Sequence, residues 1–182
     1  MKLKAVAASV LAVLAGVTIL LFATGAFARS SGLSPGQFVI SGDVKNKVVF
    51  STAQLAALPN QQTENVSFVG PGGSQSHVEQ GPLLWDVVNN VVQPNWATSS
   101  LKNADLRYSI EAIGSDQYAA IVAAGEIDPF FGNKQVLLAV TEDGKPLTQP
   151  RLIVPGDIHG GRYVSDVVGV VLDQAPTQAP NG

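Results

Sequence analysis

Punctuation is the strongest constraint on this chain. Its 18 glycines and 11 prolines among 182 residues cut everything after residue 28 into short segments joined by turns. Gln37 to Ser41 and Lys47 to Phe50 are β-prone runs around Asp43-Val44-Lys45-Asn46, the pattern of a hairpin. Ser51 with Gln54 three residues on predicts a capping box, opening a helix from Thr52 to Leu58 that Pro59 stops. Glu64 to Val69 and Ser76 to Gln80 read as paired strands around Gly70-Pro71-Gly72-Gly73. Pro82 suits the first turn of a second helix reaching about Val92 and ended by Pro94. Leu83, Leu84, Val87, Val88 and Val91 would form its single apolar face. Beyond it, Leu106 to Ile113, Tyr118 to Val122, Gln135 to Thr141, Leu152 to Val154 and Tyr163 to Leu172 are β-prone, with turns at Gly114-Ser115-Asp116 and Glu142-Asp143-Gly144-Lys145.

This succession lacks the regular βαβα alternation of a doubly wound parallel sheet. It predicts a compact α+β domain with mixed sheets and short helices, both helices lying in the N-terminal half. The domain should occupy residues 37–173, behind a flexible lead at 29–36 and ahead of a Pro/Gln/Gly-rich disordered tail at 174–182. Trp85, Leu84 and Val88 are expected against the sheet, with Trp96 as a half-exposed lid over the end of the second helix.

The first residues read as a targeting segment. Lys2 and Lys4 precede an uncharged run from Ala5 to Ala28, and Ala26-Phe27-Ala28 offers the small residues of a signal-peptidase site before Arg29. Residues 1–28 are therefore a signal peptide, or, uncleaved, an N-terminal membrane anchor through residues 5–28, since the run is long enough to span a bilayer. Either reading places the domain outside the cytoplasm, periplasmic or secreted. Cleavage removes two of the 11 basic residues and none of the 14 acidic ones, so the formal charge of −3 becomes more negative. With no Lys/Arg cluster to neutralise phosphates, nucleic acid is excluded as a partner. The absence of cysteine excludes disulfides, thiol catalysis, Fe–S clusters and C-x-x-C-H haem attachment.

Few residues could carry chemistry. His77 and His159 are the only histidines, too few for a His-rich metal centre. His77 reads as an exposed spectator at a strand edge. His159 lies in Pro155-Gly156-Asp157-Ile158-His159-Gly160-Gly161-Arg162, a loop able to approach a ligand closely. There Gly160 and Gly161 would expose backbone N–H groups beside the Arg162 guanidinium, a set suited to an anion; a salt bridge from Arg162 to Asp157 or Asp166 is equally compatible with the spacing. Glu126 with Asp128 would cap a local turn, and Glu142 with Asp143 would be solvated turn residues. No catalytic residue is assigned.

Several blocks together resemble one family. Gly81-Pro82-Leu83-Leu84-Trp85-Asp86-Val87-Val88, Glu126-Ile127-Asp128-Pro129-Phe130-Phe131-Gly132-Asn133, the Val136 to Val140 strand with Asp143-Gly144-Lys145-Pro146-Leu147, Arg151-Leu152-Ile153-Val154-Pro155-Gly156-Asp157 and Gly160-Gly161-Arg162-Tyr163-Val164 follow the order found in sulfite-oxidase-like, molybdopterin-binding oxidoreductase domains. The likeness is to the small single-domain exported bacterial type and runs from about Phe38 to Leu172. It implies a mixed α+β fold around a pterin–molybdenum cofactor, with Arg162 on the pterin phosphate and Gly160, Gly161 and His159 beside it. Two departures stand out. Ser165 occupies the position of a lysine common in relatives, and Phe68-Val69-Gly70-Pro71-Gly72, comparable with the loop carrying their molybdenum-ligating cysteine, has none.

Two functions follow as expectations. One is an exported molybdopterin-binding oxidoreductase-like domain without a protein ligand to molybdenum, passing electrons to a separate electron-transfer protein. The other is a cofactor-free extracytoplasmic binding module for a small-molecule ligand, which kept the fold and lost catalysis.

Overall fold

The structure, a computed structural model, describes residues 32–175. The leader at 1–28, the first residues of the lead and the end of the tail lie outside the described residues. Among the described residues, nine strands form two sheets. The first sheet is five-stranded, in the order β2-β1-β9-β5-β6, from β1 (Gln37–Gly42), β2 (Val48–Ser51), β5 (Tyr108–Gly114), β6 (Ala119–Ala123) and β9 (Val167–Gln174). The second is four-stranded, in the order β3-β4-β7-β8, from β3 (Gln62–Gly70), β4 (Gly73–Gly81), β7 (Leu137–Glu142) and β8 (Lys145–Ile153). Helix α1 (Thr52–Ala56) follows β2, and α2 (Ala124–Ile127) follows β6. The expected mixed-sheet α+β class is the one observed. Among the described residues no helix is long and apolar enough to cross a membrane.

Neighbouring antiparallel pairs are the hairpins expected from the turns: β1 with β2, β3 with β4, β5 with β6 and β7 with β8. In the five-stranded sheet the long-range join is β9, which runs parallel to β1 and antiparallel to β5; in the four-stranded sheet it is the antiparallel pairing of β4 with β7. Gly42 permits the close approach of β1 to β9: a Cβ there would lie 2.1 Å from the Leu172 carbonyl oxygen. The capping box of α1 is present in full, with Ser51 accepting from the Gln54 N–H and Gln54 accepting from the Ser51 N–H.

Strand periodicity divides the core in two. On β7 and β8, Leu138 and Leu152 join the larger cluster with Phe38, Ile40, Leu84 and Leu172, while Leu137 and Ile153 join a smaller one with Val66, Phe68 and Tyr163. Alternate residues of a strand point to opposite faces, so β7 and the end of β8 are apolar on both sides, while β3 and β4 alternate with exposed residues. The expected strand from Tyr163 to Leu172 starts only at Val167, because Gly160–Arg162 forms a 3-10 turn. Short helical turns at 95–98, 104–107 and 160–162, together with α2, correct the expectation that helix is confined to the N-terminal half.

The second predicted helix is the clearest departure. It runs as a π-helix over Asp86–Val92 and closes on Gln93, whose φ is 58°. The wider i→i+5 turn shifts the buried set to Leu84, Val87, Val88 and Val92 and leaves Val91 exposed. The indoles are exchanged relative to expectation. Trp96 is buried, donates from Nε1 to Asn89 Oδ1 at 3.1 Å and packs edge-on against Tyr108. Trp85 is only partly buried and stacks on Trp96 at 6.0 Å. Trp85, just ahead of the π-helix, lies at the rim, and Trp96, just beyond it, takes the inward space.

Two measurements check this packing. In denaturant unfolding, Trp96→Ala is expected to cost about 3–5 kcal/mol and Trp85→Ala distinctly less. Val92→Asp is expected to cost about 4 kcal/mol by burying an unpaired charge, whereas Val91→Asp should change stability by about 0.5 kcal/mol; equal losses from the two would restore an ordinary α-helical face.

Candidate functional site

Three charged side chains converge on Arg162. Helix α2 carries Glu126, the turn after it leads to Lys134, and the loop leaving β8 carries Asp157 ahead of the 160–162 turn. Asp128 shapes the α2 turn as expected, its Oδ1 accepting from the Phe130 N–H at 2.7 Å. Gly132 lets the turn fold back, since a Cβ there would meet the Glu126 carbonyl oxygen at 2.3 Å.

The guanidinium is gripped on two sides. Nε and Nη2 donate to Asp157 Oδ2 and Oδ1, both at 2.7 Å, a bidentate pair. Nη1 donates to both Glu126 oxygens at 3.1 and 3.2 Å. Lys134 closes the ring, its Nζ 3.0 Å from Asp157 Oδ1 and 3.2 Å from Glu126 Oε1. Two cations and two carboxylates thus form one network. Hydrogen bonds from Arg162 are the main reason Asp157 titrates below its usual range. Burial pushes Glu126 upward, but hydrogen bonds from Arg162 and Lys134 outweigh it and hold it low. The bond to Asp157 leads the effects that raise Arg162 further above its ordinary value. Of the two local partners the spacing allowed, Asp157 is the one used; Glu126 and Lys134 were not foreseen, and Asp166 is not part of the network.

The remaining loop residues lie on the same turn. The Val69 N–H donates to the Ile158 carbonyl at 2.9 Å, which brings the end of β3 against the loop that leads to Arg162. Phe68 fills the space beside Gly160, where a Cβ would lie 2.7 Å from its ring, and it packs on Tyr163 with ring centroids 4.3 Å apart. The Gly161 carbonyl accepts from the Tyr118 hydroxyl. His159 is exposed and precedes the turn without a side-chain hydrogen bond among the described residues.

Other polar groups occupy the same sheet. His77 is partly buried and paired through Nδ1 with Asp143 Oδ2 at 3.0 Å, not an exposed spectator. Glu142, expected to be a solvated turn residue, pairs with Arg151. Arg151 also approaches the fully buried Glu79 at 3.5 Å, whose carboxyl is pushed up by burial and only partly drawn down by Arg151. Glu79 was missed in the sequence; its only signal is an acid at an inward position of an alternating strand. No group of three or more His, Cys, Asp or Glu positioned for a metal ion occurs among the described residues.

No family model matches the chain, and no curated protein sequence matches it. Solved structures do: the sulfane dehydrogenase SoxCD from Paracoccus pantotrophus aligns with a TM-score of 0.58 at 17% identity, over 81% of this chain and 41% of that one. The likeness is one of fold. The chain spans well under half the length of that neighbour.

The ion network sets a pH dependence. Asp157 and Glu126 are held below their ordinary values of 3.8 and 4.5, so the stability they contribute is complete above those values and is lost as pH falls through the lowered ones. Arg162→Ala is expected to lower Tm at neutral pH by several degrees, and the gap to the wild type should narrow below about pH 4. A gap that stays constant in acid would show that the network contributes nothing.

Proposed function

We propose that this chain is an extracytoplasmic binding module that has kept the fold of the sulfite-oxidase-like oxidoreductases without their redox chemistry. The engagement of Arg162 by Asp157 and Glu126 carries the reading. A pterin phosphate needs unbalanced positive charge and free donors. Here the guanidinium faces two carboxylates, and the second cation, Lys134, is shared by the same two. Admitting a phosphate would break the bidentate bond and bring a third anion to the cluster. Phe68 takes the space beside Gly160, Ser165 supplies no second cation, and a chain without cysteine offers molybdenum no thiolate. These residues do not fit the cofactor. Export rests on the leader, with its basic start, uncharged run and Ala26-Phe27-Ala28.

A second reading, a molybdopterin-binding oxidoreductase domain, draws on the sequence blocks and on the likeness to a sulfane dehydrogenase. The two separate cleanly when the full chain is expressed in a host that makes the cofactor. The binding module predicts purified protein with molybdenum and pterin far below one per chain. Stoichiometric molybdenum, with pterin fluorescence released on denaturation, would overturn it. Replacing both acids, Glu126→Gln with Asp157→Asn, is expected to open the guanidinium and produce binding of inorganic phosphate that the wild type lacks.

A further inference from the structure

A separate site lies where the π-helix ends. A cavity of about 300 Å³ is lined by Lys45, Asn89, Gln93, Pro94, Asn95 and Ala97. None of these belongs to the Arg162 network. At the roughly 30 Å³ that a water molecule occupies in the liquid, the space holds about ten non-hydrogen atoms, at the lower end of small-molecule sites. We propose that this cavity binds a small neutral saccharide.

The lining supports that chemistry. Three of the six residues are primary amides, each with donors and an acceptor on one planar group, the combination that adjacent hydroxyls need. Exposed Ala97 supplies the apolar surface for the C–H face of a sugar ring, with buried Pro94 forming the wall beside it. Lys45 is the single charged lining residue; it is exposed and forms none of the ion pairs among the described residues. Its counterpart is Asp43, which sits behind Asn95 and accepts from both the Asn95 amide and the Tyr108 hydroxyl. With one cation in the lining and one carboxylate bonded to it, neither sign of charge dominates, so the amides decide the ligand.

The wall is also rigid and strained, as binding walls often are. Asn89 is held from both ends, Oδ1 accepting from Trp96 Nε1 at 3.1 Å and Nδ2 donating to Asn90 Oδ1 at 3.2 Å. The Asn95 N–H is anchored to the Asp43 carbonyl at 3.2 Å, and Val44 bridges to Pro94. Gln93 stands at the rim with φ 58°, a left-handed conformation costly for a residue with a Cβ. It ends a seven-residue π-helix, a form that is rare and frequently placed at functional sites. A plain α-helical turn with glycine at 93 would avoid both costs but would lose this amide and the shape of the cavity.

The inference deepens the binding-module reading but rests on a different set of residues, so the molybdenum assay and the following one can fail independently. The full chain is titrated with D-glucose, with D-xylose and with glucuronate as the charged control, followed by tryptophan emission and calorimetry. Trp85 and Trp96 are the chain's two tryptophans and are stacked beside the cavity wall. At least one neutral sugar is expected to give a saturable change, with glucuronate binding no tighter. Ala97→Phe, which fills the cavity from an exposed position, is expected to weaken binding at least tenfold without lowering Tm. Gln93→Gly is the second variant; it relaxes the backbone, should raise Tm slightly and should still weaken the sugar severalfold. No saturable response to either neutral sugar, a response to glucuronate alone, or sugar binding untouched in Gln93→Gly would overturn the proposal.

Discussion

Strand β9 is the member on which the rest of the architecture depends. It follows every other strand among the described residues, yet it occupies the middle of the five-stranded sheet, parallel to β1 on one side and antiparallel to β5 on the other. Without it, the β1–β2 and β5–β6 hairpins are separate two-stranded units, which are marginal in water. Its run Gly169–Leu172 is buried on consecutive residues, the pattern of a strand covered on both faces. Gly42 allows the β1 backbone to approach Leu172 more closely than a side chain would permit. Pulling β9 into the sheet also fixes the path of the preceding loop, and with it the 160–162 turn and Arg162.

That placement explains why one arginine can mean two things. In isolation, a guanidinium after two glycines is an anion site in waiting. The fold brings α2 against the same turn, and Glu126 and Lys134 arrive with it, so the charges close on one another before any ligand is considered. Partly buried ion pairs of this kind resist disruption because removing one partner leaves the other desolvated. The network is thus better suited to clamping two loops together than to exchanging a phosphate. The open polar space lies elsewhere, beside the π-helix, where amide groups and not fixed charges dominate.

Much of the fold was legible because its signals are local. Hairpins announced themselves through turn residues between alternating runs, and the Ser51–Gln54 capping box needs only four residues. The Arg162–Asp157 pair, five positions apart, was among the readings the spacing allowed. The π-helix was not legible: Leu83, Leu84, Val87, Val88 and Val91 satisfy an α-helical stripe, and nothing in that pattern reveals the wider turn that buries Val92 in place of Val91, or that Trp96 and not Trp85 takes the buried place. Glu79 was equally hidden, since Arg151, which makes its burial tolerable, lies on another strand 72 positions away.

By itself, then, the sequence determined which segments extend, where they turn, that no thiolate chemistry is open to the chain, and that its flexible glycine turn ends on an arginine. These follow from backbone sterics, side-chain periodicity and residue chemistry, all of which act over a few positions. Only the tertiary structure decided which strands become neighbours, how many acids share the guanidinium, and where space remains for a ligand. Those outcomes depend on groups far apart in the chain meeting at hydrogen-bond distance, and desolvation then makes a carboxylate 36 positions from Arg162 matter as much as the adjacent glycine.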